Sequence, residues 1–306
     1  MANGMPYINP GQTRADLPPF DVPPAAGGRS TLRIPVGPTY DTIFLLLEDA
    51  GGGRTAAEIA ADIDRLRLSV GTRVKWDLTG AEVCYLMAFY GAAVHIGGAS
   101  PISVGNSGLL PLFLAQPWRQ PVSPNPGEAN FSNVDGPSYG TLGESSFTLE
   151  ITWAAGSGCT VATAWAATRP GTPLGTHITL LPLARNLAGA GVDIINDFPI
   201  DGNANAYTAM HVGDANLTNA ELLINRTRFL DRPAALLDLE NGLAGRLVNA
   251  AFSSLELCNR DRFADALLET MDDIELRLTF GVAPGDYNVI LERIETQELK
   301  AQQQTR

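Results

Sequence analysis

Lysine is almost missing from this 306-residue sequence, with Lys75 and Lys300 the only two. Twenty-one basic residues stand against thirty-three acidic ones, for a formal net charge of −12. A basic face that neutralises phosphates is therefore excluded as the organising feature, and no direct contact with nucleic acid is expected. Charge of either sign is scarce, at 18% of residues against roughly 25% in ordinary soluble domains. A surface so thinly charged suits being covered. Cysteine is scarce too: Cys84, Cys159 and Cys258 form no CxxC pair and are odd in number, which argues against a disulfide framework and a zinc site. Met1–Gly28 has no basic segment leading into an apolar core. No secretory signal is expected, and the thiols should stay reduced in the cytoplasm.

Uninterrupted apolar spans are also lacking. Val83–Trp118 contains no Asp, Glu, Lys or Arg, yet Gly91, Gly97, Gly98, Pro101 and Gly105 break the run before the about 20 residues a spanning helix needs. The stretch reads as buried core, since broken backbone is not tolerated in lipid.

Catalytic constellations are missing as well. His95, His177 and His211 are isolated, with no HxH pair to hold a cupin-type metal, and each reads as structural. Gly51-Gly52-Gly53 lacks the Lys-Ser/Thr of a phosphate loop, and no serine sits in GxSxG. The acid pairs Asp62/Asp64 and Asp272/Asp273 lie at strand starts, where carboxylates usually mark a solvated edge. The sequons at Asn130, Asn216 and Asn225 carry little weight without secretion. Asp201-Gly202-Asn203-Ala204-Asn205 offers oxygen ligands at alternate positions, but Ala206 and Val212 stand where a calcium loop of the EF-hand type wants Gly and Glu. An Asx-rich turn and an irregular calcium site both remain open readings. No catalytic, cofactor or metal residue is assigned, and the chain is read as a non-enzyme.

What the sequence has is strand. Its first 38 residues hold eight prolines and five glycines, which disfavours helix and central strand and predicts an extended arm, Met1–Gly28, that needs a partner surface to order it. From there Thr31–Val36, Tyr40–Leu47, Ile63–Val70, Arg73–Leu78, Ala92–Ile96, Leu109–Ala115, Ser145–Ala154 and Cys159–Thr168 read as eight strands. The third and fourth form a hairpin around Gly71-Thr72, and the last two an antiparallel pair across Gly156-Ser157-Gly158. Two capping boxes, Thr55-Ala56-Ala57-Glu58 and Thr79-Gly80-Ala81-Glu82, open short helices. Gln116–Pro137 holds five prolines and reads as a long functional loop.

Arg169-Pro170-Gly171-Thr172-Pro173 stops every periodicity and is the expected domain boundary. Beyond it Leu174–Leu183, Val192–Ile200, Ala206–Val212, Ala220–Phe229, Ser253–Cys258, Asp273–Val282 and Tyr287–Ile294 read as strands, the last two as a hairpin. Pro233–Asn241 and Arg262–Met271 read as helices. Short strands, frequent turns and few helices make the chain all-β, and the spacing suits two tandem eight-stranded jelly rolls. The expected division is an arm at 1–28, jelly rolls at 29–169 and 174–296, and a tail at 297–306.

Leu32-Arg33-Ile34-Pro35, Thr39-Tyr40-Asp41-Thr42-Ile43, Leu66-Arg67-Leu68-Ser69-Val70-Gly71, Leu78-Thr79-Gly80-Ala81-Glu82 and Tyr90-Gly91 together resemble the N-terminal domain of the corticovirus-type viral coat proteins. Asp273-Ile274-Glu275-Leu276 with Leu278-Thr279-Phe280 resembles their closing strands. The likeness is clearest over Thr31–Gly91. It implies a double jelly-roll major capsid protein of a tailless, membrane-containing icosahedral bacteriophage. Homotrimers would then act as pseudo-hexagonal capsomers that tile a shell over an internal membrane. Implied partners are neighbouring trimers, penton or minor capsid proteins, and the membrane or its proteins. The implied place is the virion, assembled in the host bacterial cytoplasm, and calcium between subunits is a feature of some members. By the same analogy Gln116–Gly143 would be a tower or intersubunit loop. The alternative reading is a carbohydrate-binding or adhesin-like double β-sandwich using Trp118, Trp153 and Trp165, with a jelly-roll glycoside hydrolase third.

Overall fold

The computed structural model describes residues 13–91, 108–116, 137–199, 206–258, 267–268 and 273–295. The chain divides into two units: Met1–Trp118 with Phe131–Ile178, and Arg119–Asn130 with Thr179–Arg306.

Unit one runs β1 (Thr13–Asp16), β2 (Arg29–Ile34), β3 (Thr39–Asp49), β4 (Gly52–Gly53), α1 (Ala56–Asp62), β5 (Ile63–Val70), β6 (Arg73–Leu78), α2 (Gly80–Gly91), β7 (Leu109–Phe113), β8 (Tyr139–Gly140), β9 (Phe147–Trp153) and β10 (Val161–Arg169). In one antiparallel sheet β10 lies between β1 and β3, and β8, β7 and β4 follow one another along the far edge of β3. The other sheet pairs β2 with β9, β9 with β5 and β5 with β6. Period-two patterning sets the inner face: Phe147, Leu149, Ile151 and Trp153 are buried while Thr148, Glu150 and Thr152 between them are half-buried. Tyr40 of β3 meets Phe147 of β9 edge-on, ring centroids 5.2 Å apart, so the sheets face each other across this core.

Both capping boxes form. Thr55 Oγ1 accepts from Glu58 N while Thr55 N donates to Glu58 Oε2, and Thr79 with Glu82 repeats the exchange. The second helix starts hard against the first: a Cβ at Gly80 would stand 2.6 Å from the carbonyl oxygens of Ala60 and Ile63.

Unit two begins within β11 (His177–Leu187) and continues with β12 (Gly191–Ile195), β13 (Ala206–Val212), β14 (Leu217–Ile224), β15 (Thr227–Pro233), α3 (Ala234–Leu243), β16 (Ser253–Glu256), β17 (Leu267–Leu268), β18 (Ile274–Phe280) and β19 (Gly285–Glu295). One sheet is ordered β12-β18-β14-β15; in the other β13 lies between β16 and β19, with β17 also on β13 and β11 beside β19. Tyr207, Met210, Val212, Leu255, Val289 and Leu291 from the second sheet share a core with Ala220, Leu222, Leu276, Leu278 and Phe280 from the first.

The structure departs from the sequence expectations at several points. The described part of Met1–Gly28 is built onto its own unit. Thr13–Asp16 pair with Trp165–Thr168 of β10, Asp21 N donates to Thr31 O and Gly27 N to Ala154 O, because β10 otherwise presents an open edge. The boundary falls after Ile178, beyond Arg169–Pro173. That segment is stitched to unit one: Thr172 N donates to Thr39 Oγ1, Leu142 N to Thr172 O, and Gly171 approaches Gly37 O so closely that a Cβ would stand 1.9 Å away.

Two expected hairpins are crossovers. Strands β9 and β10 lie in different sheets, as do β18 and β19, because a short turn can step the chain across a sandwich as readily as along a sheet. Ala220–Phe229, expected as one strand, is a β14–β15 hairpin with Asn225 and Arg226 at φ 50° and 63°. That is the left-handed pair a two-residue hairpin turn needs, unmarked here by glycine. Within Arg262–Met271, expected as helix, Leu267 and Leu268 pair as a strand with Tyr207 and Ala206. The rest of that segment, Ala92–Ile96 and most of Gln116–Gly143 lie outside the described residues. Among those described, no helix is long and apolar enough to cross a membrane.

Candidate assembly surface

Among the described residues, those singled out as chemical candidates do not converge. His177 is fully buried with Nδ1 2.8 Å from Gly175 O and its ring against Tyr139. His211 is buried in unit two. Asp62 is buried, held by Arg54 Nε at 2.7 Å and by Gly158 N at 2.8 Å, while Asp64 is exposed on the next strand. His95, Trp118, Asp272 and the Asp201–Asn205 loop lie outside the described residues. No group of three metal-ligating side chains occurs among the described residues.

Unit two does hold one hydroxyl, imidazole and carboxylate in series, which sequence reasoning missed. Ser254 Oγ lies 2.6 Å from His211 Nδ1, and His211 Nε2 lies 3.9 Å from Glu292 Oε2. Thr208 Oγ1 donates to Glu292 Oε1 at 2.6 Å, and Asn241 Nδ2 to Ser254 O at 2.8 Å. Ser254, His211 and Glu292 are all buried on adjacent strands β16, β13 and β19. A nucleophile must reach its substrate, so this series is an internal polar network that fastens three strands and α3 together. The three cysteines are likewise buried. Burial pushes the Cys84 thiol up to about 12 and the Cys159 thiol up to about 11, the reverse of an activated nucleophile.

The surface is organised differently. The outward face of the β12-β18-β14-β15 sheet carries a ladder of paired charges. Arg277 bonds Glu275 and lies 3.6 Å from Glu221; Arg228 reaches Glu221 at 2.5 Å and Asp231 at 3.0 Å. Register explains it: Glu221 stands opposite both Arg277 and Asp231. A hollow of about 410 Å³ on this face is lined by Leu223, Arg226, Asp273, Glu275 and Arg277, and its arginines already pair with its acids. At the sheet's edge Val192 and Ile194 of β12 are exposed. Under that edge Arg185 grips Asp193 at 3.0 Å and holds its carboxyl below the usual range.

Among the described residues, Trp153 and Trp165 offer no sugar platform. Trp153 is buried and donates to Ser30 Oγ at 2.8 Å. Trp165 is half-buried, stacks on Phe44 at 5.6 Å and carries the Arg14 guanidinium over its ring at 5.2 Å.

Residues 15–169, just over half of the chain, match the viral coat protein P2 N-terminal domain family. No curated protein matches by sequence. Among solved structures, the major capsid protein P2 of bacteriophage PM2 superposes with a TM-score of 0.77 at 16% identity, over 94% of this chain and 98% of that one. The major capsid protein of STIV superposes with a TM-score of 0.63 at 16% identity, over 95% and 98%. VP54 of PBCV-1 gives 0.58 at 11% identity, over 96% and 97%. The shared fold is the double jelly roll, and the chain belongs to the viral coat protein P2 family.

Proposed function

We propose that this coat protein is the major capsid protein of a tailless icosahedral virus with an internal membrane. It would work as a homotrimer assembled in the cytoplasm of a bacterial host. The observation that carries the reading is the division of the chain into two compact β-units, each with strands packed over a core of its own. Three copies supply six such units, enough to approximate a hexagon, and a closed cyclic trimer needs only one heterologous interface. Membership of a coat-protein family makes the role structural rather than enzymatic. The acidic balance fits a shell separated from the genome by a bilayer. Segments 1–12 and 296–306 are proposed to reach neighbouring capsomers, minor capsid proteins or the membrane.

Light scattering on the purified chain tests this. A species of three times the 32.5 kDa chain mass, or a shell built from it, is the expected result. A stable single-chain species that binds glycans would overturn it in favour of the adhesin-like sandwich.

A further inference from the structure

We propose that the outward face of α3, continued through Val248, is a contact by which one copy of this chain docks on another. The helix has two apolar faces. Leu237 and Asn241 point inward, Leu237 into the unit-two core and Asn241 to Ser254 O. Leu236, Leu239 and Leu243, spaced by three and four residues, line the opposite side and are exposed, Leu239 by 58% and Leu243 by 80%. A helix apolar on both sides is a buried helix, and here only one side is buried within the described chain.

The patch does not stop with the helix. Gly245 at φ 78° ends it, Ala244 N donating to Glu240 O and Arg246 N to Asn241 O, and this cap turns Leu247 and Val248 out as well. Five of the fourteen large exposed hydrophobic residues among those described thus fall within 13 positions, Leu236–Val248. Scattered surface leucines mean little, but a contiguous group marks an interaction surface.

Charge selects the kind of partner. Between Ala234 and Ala251 the one basic residue is Arg246, and it is buried against Glu256 at 2.9 Å. The other charges are Asp238 and Glu240, the second paired with Arg232. An anionic membrane surface is bound through Lys and Arg flanking an apolar face, which this segment does not present. Depletion of charge around aliphatic side chains is instead the composition of a protein–protein interface core. A coat protein in its lattice is surrounded by copies of itself, so the partner that supplies the covering surface is a second copy.

This inference rests on the self-assembly proposed above, and its test separates the two. The chain carrying both Leu239→Glu and Leu243→Glu is compared with the unaltered chain by light scattering and circular dichroism. The expected result is an unaltered chain that assembles and a variant that keeps its β-spectrum but falls to the single-chain mass of 32.5 kDa. An assembling parent with an equally assembling variant overturns the α3 contact alone, whereas a parent that never assembles overturns the proposed function with it.

A Leu243→Cys chain reads the same face without adding charge, since the three natural thiols are buried. Maleimide labelling that is fast in the dissociated chain and slow in the assembly supports the contact, including where the double variant fails to fold. Equally fast labelling in both states overturns it. Slow labelling in both also overturns it, and assigns the cover to another segment of the same chain.

Discussion

Arg169 closes on Asp41 as a fork, Nε to Oδ2 and Nη2 to Oδ1 each at 2.8 Å, joining residues 128 positions apart in the buried edge of unit one. A bidentate pair fixes orientation as well as distance, and it ties the end of β10 to β3 where the two strands share a ladder. Replacing one partner takes the bidentate counter-charge away from the other. Arg169→Met is expected to cost about 3–5 kcal/mol, read as a lower urea midpoint with unchanged slope, and adding Asp41→Leu should recover much of that loss. An Arg169→Met chain as stable as the parent would show the pair to be idle.

Acid should destabilise the fold. Asp49 and Asp21 are held low chiefly by backbone amides of Gly51 and Thr31, Glu58 by Thr55 and Asp193 by Arg185. Each has a folded pKa below its unfolded one. Its contribution is therefore present above the unfolded value and is lost as pH falls through the folded value. Melting temperatures should hold from neutrality to mildly acidic pH and decline below about 4.

Asp238 has the opposite sign, because burial raises its carboxyl. Ionising it is a cost in the folded chain, relieved as pH falls. Asp238→Asn is expected to raise the melting temperature at pH 7, with the difference shrinking in acid. A variant less stable at neutral pH would refute this sign.

Thiol reactivity follows from burial. Cys84, Cys159 and Cys258 are buried, and for the first two the thiolate is disfavoured. Ellman's reagent should report almost no free thiol in the native chain and three after urea denaturation.

The β14–β15 turn holds Arg226 at φ 63°, where a β-carbon is unwelcome. Its ion pair with Asp273 is exposed and 3.6 Å long, worth little. Arg226→Gly creates the Asn-Gly turn and should stabilise the chain by about 0.5–1 kcal/mol, measured by thermal or urea melting.

Legibility tracked distance along the chain. The Thr55–Glu58 and Thr79–Glu82 boxes, the β5–β6 hairpin and the alternation of β9 were readable because each is a relation among a few neighbouring residues. The outward stripe of α3 was also present in the spacing of Leu236, Leu239 and Leu243, but it becomes a surface only once Leu237 and Asn241 are known to face inward. The Asn225-Arg226 turn was hidden because its left-handed pair lacks glycine.

The sequence by itself determined the class of the protein. Strand periodicity, frequent turns and few helix signals made it an all-β chain with two cores. Tertiary structure decided which strands pair. It sent β9 and β10 to opposite sheets, drew Thr13–Asp16 onto β10, held Arg169–Pro173 to unit one and sealed Ser254, His211 and Glu292 from solvent. The physical reason is that a strand's alternation says which face is buried but not which neighbour accepts its backbone hydrogen bonds. That choice is settled only when both sheets close over a common core.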